Sequence, residues 1–500
     1  MKKEIAEFSR RNFLGISALG AVSALGLAGC AAKNTNAVAE LDSETLIAEK
    51  EVDVVIIGSG LAGLAAGLKL CDLGITNVLI IDKASGLGAA TNSVISGGAF
   101  DIPKEDSAEG IQTLIDIYNT KSRGEGNQEF TRLIAENIKR DIDWMVSHNV
   151  QMTDPFPMDP FECMQLYAAP GNAEGMGPLL TTLADEFTSA GGDSMVDTKF
   201  IDFVLDVKGK VAGVKVRGKN GFEIIKAKAT LNAAGGYVAN KQYLEQFVGP
   251  DGDNILVRGQ KALTGDVINA TLNVGGMLYE MGGSQSLHMA AVDPSNPAVC
   301  NPFNAIAYTI AINSEGKRYT DESRGYVNNG KMLVDQPGQK CALIFDETTK
   351  QNERVQGDID KFNKQGVELV EADTIEELAE KIAVPAENLK ATIEEFNAAS
   401  DGEKTTGLAV EKAATAVKIE APKYYAFYPL VPGSIMGFGG LYVNESCRAL
   451  EADGIPIDGL YVAGEAIGGI FKYDYLVGAS LNRSLVTGVI AAETIASSIS

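Results

Sequence analysis

Val52-Asp53-Val54-Val55-Ile56-Ile57 runs straight into Gly58-Ser59-Gly60-Leu61-Ala62-Gly63. The first six residues are almost continuously apolar and β-branched, the pattern of a parallel strand buried on both faces. Leu61 to Leu73 is apolar and helix-forming, and Asn77 to Asp82 returns as a second buried strand, so the stretch predicts one βαβ unit. Within it the glycines match G-x-G-x-x-G at the strand-to-helix turn. Gly58 permits the tight turn, Gly60 lets backbone approach a pyrophosphate, and Gly63 lets helix and strand pack closely. The helix N-terminus, with Ser59 and Ala62 beside it, faces the anion. Asp82, with Lys83 next to it, stands where a carboxylate accepts hydrogen bonds from ribose hydroxyls, which favours FAD or NAD over NADP.

The chain of 500 residues is long enough for two or more domains. With 45% hydrophobic and 22% charged residues its composition is that of a folding globular protein. A net charge of -23 and the lack of a basic stripe argue against nucleic acid as a partner. Helices are expected around Glu129 to His148 and Gly177 to Ala190, and strands at Phe200 to Val207, Val211 to Val216 and Lys228 to Ala234. From Gly282 to Gly437 the pattern changes to loops, isolated strands and a capped helix start at Thr374-Ile375-Glu376-Glu377. The expected fold is therefore α/β: a Rossmann-like dinucleotide-binding domain, residues 51–281 and 438–500, with a second, α+β domain, 282–437, inserted into it.

Ser9-Arg10-Arg11-Asn12-Phe13-Leu14 precedes an apolar stretch too short to span a bilayer. It resembles a twin-arginine export signal, and Leu27-Ala28-Gly29-Cys30 resembles a bacterial lipobox. Residues 1–29 are thus expected to be a signal peptide, Cys30 the lipidated mature N-terminus, and 30–50 a linker. That places the protein at the outer face of the cytoplasmic membrane. The remaining cysteines are scattered without a C-x-x-C pair, and neither an iron-sulfur cluster nor a c-type haem is signalled.

Three later glycine segments favour FAD over NAD: Thr91-Asn92-Ser93 with Gly97-Gly98, Ala233-Ala234-Gly235-Gly236-Tyr237, and Leu460 to Glu465 with Gly468-Gly469. Together with Thr264-Gly265-Asp266 they make nearly the whole mature chain resemble the flavoprotein family of fumarate reductases, urocanate reductases and 3-ketosteroid dehydrogenases. The resemblance implies non-covalent FAD, with Gly464 and Glu465 on the ribityl chain and Ser480-Leu481 near the flavin ring. It also implies that 51–281 with 438–500 is a Rossmann-like FAD-binding domain and that 282–437 is an inserted α+β capping domain, which closes over substrate. In that family reduced flavin delivers hydride from N5 to an activated double bond, and a protein acid protonates the neighbouring carbon.

The family's two carboxylate clamps are absent. Met436 stands near the histidine position, in Ser434-Ile435-Met436-Gly437-Phe438, and Tyr475 at the arginine position, in Asp474-Tyr475-Leu476-Val477-Gly478. A simple C4-dicarboxylate is therefore not the expected substrate. The resemblance points to Tyr475 as the group that polarises a substrate carbonyl, and to Lys350, after Phe345-Asp346-Glu347, where fumarate reductases place their proton-donating arginine. Glu322 and Arg324 match a stretch associated with proton delivery, and His288 follows Gln285 as the family's Q-x-H does. Met436, Phe438, Tyr473 and Gly478 are expected along an aromatic, weakly charged substrate wall. The expected activity is reduction of an enone- or acrylate-like substrate, with electrons from a separate quinone-linked, flavin or cytochrome donor. The alternatives are the reverse dehydrogenase reaction and a non-catalytic flavin carrier.

Overall fold

The computed structural model describes residues 46–158, 161–168, 176–249, 251–282 and 285–500. The expected signal peptide, Cys30 and the linker as far as residue 45 lie outside the described residues. Among the described residues no helix is long and apolar enough to cross a membrane.

Strand β1 (Leu46–Ile57), helix α1 (Leu61–Asp72) and strand β2 (Val78–Ile81) form the expected unit, with β1 and β2 parallel and Val54 opposite Val78. Val54, Val55 and Ile56 are fully buried, as are Leu79, Ile80 and Ile81, because the sheet is covered on both faces. The parallel core runs Pro456–Val462, Gly221–Asn232, β1, β2, Asp193–Met195. Thus a strand from near the end of the chain, Pro456–Val462, pairs beside one from its first half. A hairpin of Lys199–Leu205 and Val211–Gly218 extends the sheet through Gly221–Asn232. The final helix, Ala479–Ile499, lies against α1, and a Cβ on Gly488 would come within 2.5 Å of the Ala62 carbonyl oxygen. That glycine permits the two helices to approach backbone to backbone.

A second sheet is organised around the long strand Tyr424–Gly437. It runs antiparallel to Gln285–Ala291, Cys341–Asp346 and Val370–Ala372, and Ile310–Asn313 adds to Cys341–Asp346. Both faces are apolar: Leu343 and Phe345 pack with Phe427 and Phe362, while Ala342 and Ile344 pack with Leu378 and Phe396. Thr374 caps the Ile375–Lys381 helix by accepting from the Glu377 amide (3.1 Å), and Glu377 accepts from the Asp373 amide (2.9 Å). The Thr374 half of the expected capping pair is formed, while Glu377 reaches one residue further back, to the amide that precedes the cap. The sheet also takes in Leu256–Val257, which pairs parallel with Gly433 and Ser434, so its first strand precedes Gly282. That edge strand brings the following residues, Arg258 and Gly259, beneath the sheet's central strand.

Candidate active site

One cavity of about 770 Å³ extends from the glycine turn after β1 to the place where Tyr424–Gly437 meets the final helix. At the turn, Gly58 adopts φ +101°, and a Cβ there would lie 2.5 Å from the Ala233 carbonyl oxygen. A Cβ on Gly63 would sit 2.0 Å from the Gly58 carbonyl oxygen. The close packing expected of the first and third glycines is therefore explicit. Ser59, Gly60 and Ala62 line the cavity, and Gly63 lies just behind them.

Asp82 accepts at one carboxylate oxygen from the Ser59 amide (2.8 Å) and at the other from the Ala84 amide (2.9 Å). Lys83 bonds Thr264 (3.1 Å) and pairs with Asp266 (3.4 Å), joining the Asp82 end of β2 to the Thr264-Gly265-Asp266 turn. Asn92 connects three segments: its Nδ2 donates to Glu465 and to the Ile435 carbonyl (both 2.8 Å), and its Oδ1 accepts from the Gln260 amide (2.9 Å). Ser93 accepts from the Leu61 amide (3.1 Å), and Thr91 and Gly97 line the same wall, whereas Gly98 does not reach the cavity. Ala234, Gly235, Gly236, Gly464, Ser480 and Leu481 complete the lining. At Gly236 a Cβ would meet Glu465 Oε1 at 2.4 Å.

The donor set and shape fit FAD. A helix N-terminus and glycine backbone face a phosphate-sized approach, an acid closes the ribose end, and a deep chamber continues beyond Glu465. Glu465 is buried, which pushes its carboxyl above the ordinary range, while the cation of Arg483 acts in the opposite direction. Arg483 is itself buried and lines the cavity, with Phe471 beneath it (5.2 Å) and its Nε and Nη1 without hydrogen bonds.

The chamber brings together His288, Tyr326, Phe303, Met436, Tyr475 and Arg258. Tyr475 lies edge-on to Phe438 (5.7 Å) and near Tyr326 (6.4 Å). Burial raises its phenol, so it is protonated and able to donate at neutral pH. Burial and the neighbouring Arg258 cation hold His288 well below its ordinary pKa, so the ring is neutral. Its Nδ1 is bonded by Arg258 Nη1, and its Nε2 lies 3.0 Å from Ser286 Oγ. Gly478 also faces the chamber, with φ +96°, and a Cβ there would strike Asp101 Oδ1 at 2.4 Å.

Besides Gly63 and Gly98, five expected residues fall elsewhere. Lys350 sits over the Tyr425 ring (4.0 Å) at the end of a short helix, away from the cavity. Glu322 is fully buried against Arg318 (2.9 Å) and Lys412 (3.8 Å), where it also accepts from the Ala311 amide (2.7 Å). Arg324 is 68% exposed and pairs with Asp321 (3.4 Å). Phe438 backs Tyr475 rather than lining the chamber, and Tyr473 turns outward, bonding Glu125 (3.1 Å) beneath the Arg123 guanidinium. In each case a local ion pair or ring contact takes the side chain out of the cavity. Arg258 and Arg483 were missed by sequence reading. Neither belongs to a recognisable motif, and their convergence depends on strands far apart in the chain.

The family model described as "FAD binding domain" matches residues 53–481, so the chain belongs to that family. It is similar to a probable fumarate reductase of Shewanella frigidimarina, 25% identical over 93% of this chain and 77% of the relative. It also resembles the acrylate reductase flavoprotein subunit of Shewanella woodyi, 27% identical over 97% of each. With the NADH:acrylate oxidoreductase of Vibrio harveyi it shares 27% identity over 89% of its length, and it spans about half, 50%, of that relative. Two solved structures share the fold at a TM-score of 0.74: the open conformation of a flavocytochrome c3 fumarate reductase (24% identical, covering 90% of this chain and 79% of that one), and 3-ketosteroid delta1-dehydrogenase from Sterolibacterium denitrificans (19% identical, covering 90% and 100%). The chain is a FAD-dependent oxidoreductase of the group whose members act on carbon–carbon double bonds.

Proposed function

We propose that this protein is an exported, lipid-anchored reductase of an activated C=C bond in a hydrophobic or aromatic substrate that is not a dicarboxylate. The observation that carries this reading is the chamber itself. It continues the cavity formed by the glycine loops, is walled by Tyr326, Phe303 and Met436, and presents the protonated phenol of Tyr475. FAD, bound non-covalently and reduced by the donor, would supply the hydride and be left oxidised. Tyr475 donates a hydrogen bond or proton to the substrate, and neutral His288, held by Arg258 and Ser286, lines the same chamber. The second sheet with its flanking helices covers the site and keeps water from the transfer. Electrons come from a separate donor, of the quinone-linked, flavin or cytochrome type.

The test is anaerobic reoxidation of the photoreduced holoenzyme by a panel of enones and enoates. Recovery of the oxidised flavin spectrum with a member of the panel is expected. Tyr475→Phe should slow that step by about 100-fold or more while retaining FAD. If no compound reoxidises the flavin faster than buffer, the reductase reading fails. An unchanged rate in Tyr475→Phe removes that residue from the chemistry.

A further inference from the structure

Arg258 is 3% exposed, lines the chamber, and is placed with care. Its amide and that of Gly259 donate to the Ser434 carbonyl (2.8 and 3.1 Å), pinning the segment under the central strand. Gly433 makes room for its stem, since a Cβ there would stand 2.5 Å from Arg258 Cδ. Its Nε donates to the Pro297 carbonyl (2.9 Å), Nη2 to the Ala298 carbonyl, and Nη1 to His288. All three acceptors are neutral. Each terminal nitrogen keeps a second N–H, the geometry that receives a carboxylate in bidentate fashion.

The charge of Arg258 has no internal answer among the described residues. The ionisable groups that act on it are Tyr475, Cys300 and Tyr326, and burial keeps each of them protonated at neutral pH. Arg483, the other buried arginine of the cavity, differs because it has the Glu465 carboxylate as its counter-charge. A buried cation without a paired anion is costly, and it persists where a ligand supplies the anion. Beside Arg258 the wall carries an aromatic cluster, with Tyr326 4.5 Å from His288 and 4.6 Å from Phe303, as well as Val299, Asn301 and Lys361.

Resting on the reductase reading, we infer that Arg258 is the specificity-determining residue of this site: it binds the single carboxylate of a 2-enoate whose apolar or aryl remainder packs on Tyr326 and Phe303. An enoate is thus preferred over an enone, although both expected clamp positions, Met436 and Tyr475, lack a charge.

Binding to the oxidised holoenzyme, followed by perturbation of the flavin absorbance, tests this without turnover. The probes are 3-phenylacrylate, its primary amide and the corresponding methyl ketone. Wild-type protein should bind the acid about thirtyfold more tightly than the amide or ketone, the effect of one charged hydrogen-bonded contact. Arg258→Met should remove that preference while leaving FAD content and amide affinity unchanged, and Arg258→Lys should restore part of it. Gly433→Ala, which displaces the arginine stem, should reproduce the loss. Equal binding of acid and amide to the wild type, binding of neither at millimolar concentration, or equal weakening of all three probes in Arg258→Met overturns the assignment. The wild-type comparison stands even if a variant fails to fold. Preferential binding of the acid by a protein whose reduced flavin no enoate reoxidises would retire the reductase reading and keep Arg258.

Discussion

Glu322 shows how a residue placed by motif acquires a different role from its neighbours. Its carboxylate is enclosed by Arg318 and Lys412, whose side chains are 6% and 1% exposed, so the three form a buried ionic cluster within the second sheet's surroundings. Burial, helped by the neighbouring Arg318 cation, brings Lys412 down to about 8 against the upward pull of the Glu322 carboxylate. Removing the acid leaves both cations unpaired. Glu322→Ala should therefore destabilise the protein by about 3 to 5 kcal/mol. A thermal melt checks this, and flavin reoxidation rates of the folded fraction should be unaffected. A variant of unchanged stability but lost reoxidation would return Glu322 to proton delivery. Nothing in Arg318-Tyr319-Thr320-Asp321-Glu322 distinguishes these roles, because burial and partners outside the stretch decide them.

At the scale of elements, the β1–α1 turn is legible because its function is a backbone requirement. Gly63→Ala would place a methyl 2.0 Å from the Gly58 carbonyl oxygen, and neither backbone segment can retreat without opening the strand-helix contact. Overpacking of this kind costs about 1–3 kcal/mol and distorts the loop that receives the pyrophosphate. The expected outcome is folded protein purified largely without FAD, read from its 280 to 450 nm absorbance ratio. Full flavin occupancy in Gly63→Ala would refute the close-packing role. The long strand Tyr424–Gly437 is an opposite case. Its burial on both faces and its four antiparallel or parallel partners arise from segments between Leu256 and Ala372, and no local periodicity announces such pairing.

For the whole molecule, the proposed export and lipidation predict a fractionation pattern. The full-length chain expressed in a bacterium with twin-arginine transport should sediment with membranes, Cys30→Ser should release it, and lysines at Arg10 and Arg11 should hold it in the cytoplasm. Soluble wild-type protein carrying an unmodified Cys30 would end the anchor proposal. At this scale the division between what residue order settles and what packing settles is physical. The βαβ unit, the glycine turn and the class of cofactor depend on contacts within about thirty residues, where strand burial, turn geometry and an acid at the strand end leave a local imprint. Met436 and Tyr475 stand for missing clamps only through the family resemblance, which compares them with a histidine and an arginine. The replacement cation did not show in the order of residues: Arg258 becomes a ligand group because an edge strand inserts beside Ser434, Gly433 clears its path, and two carbonyls from the loop after Ala291 aim it toward His288. Charge without a counter-charge is a property of the assembled chamber, and it exists only once those distant segments have packed together.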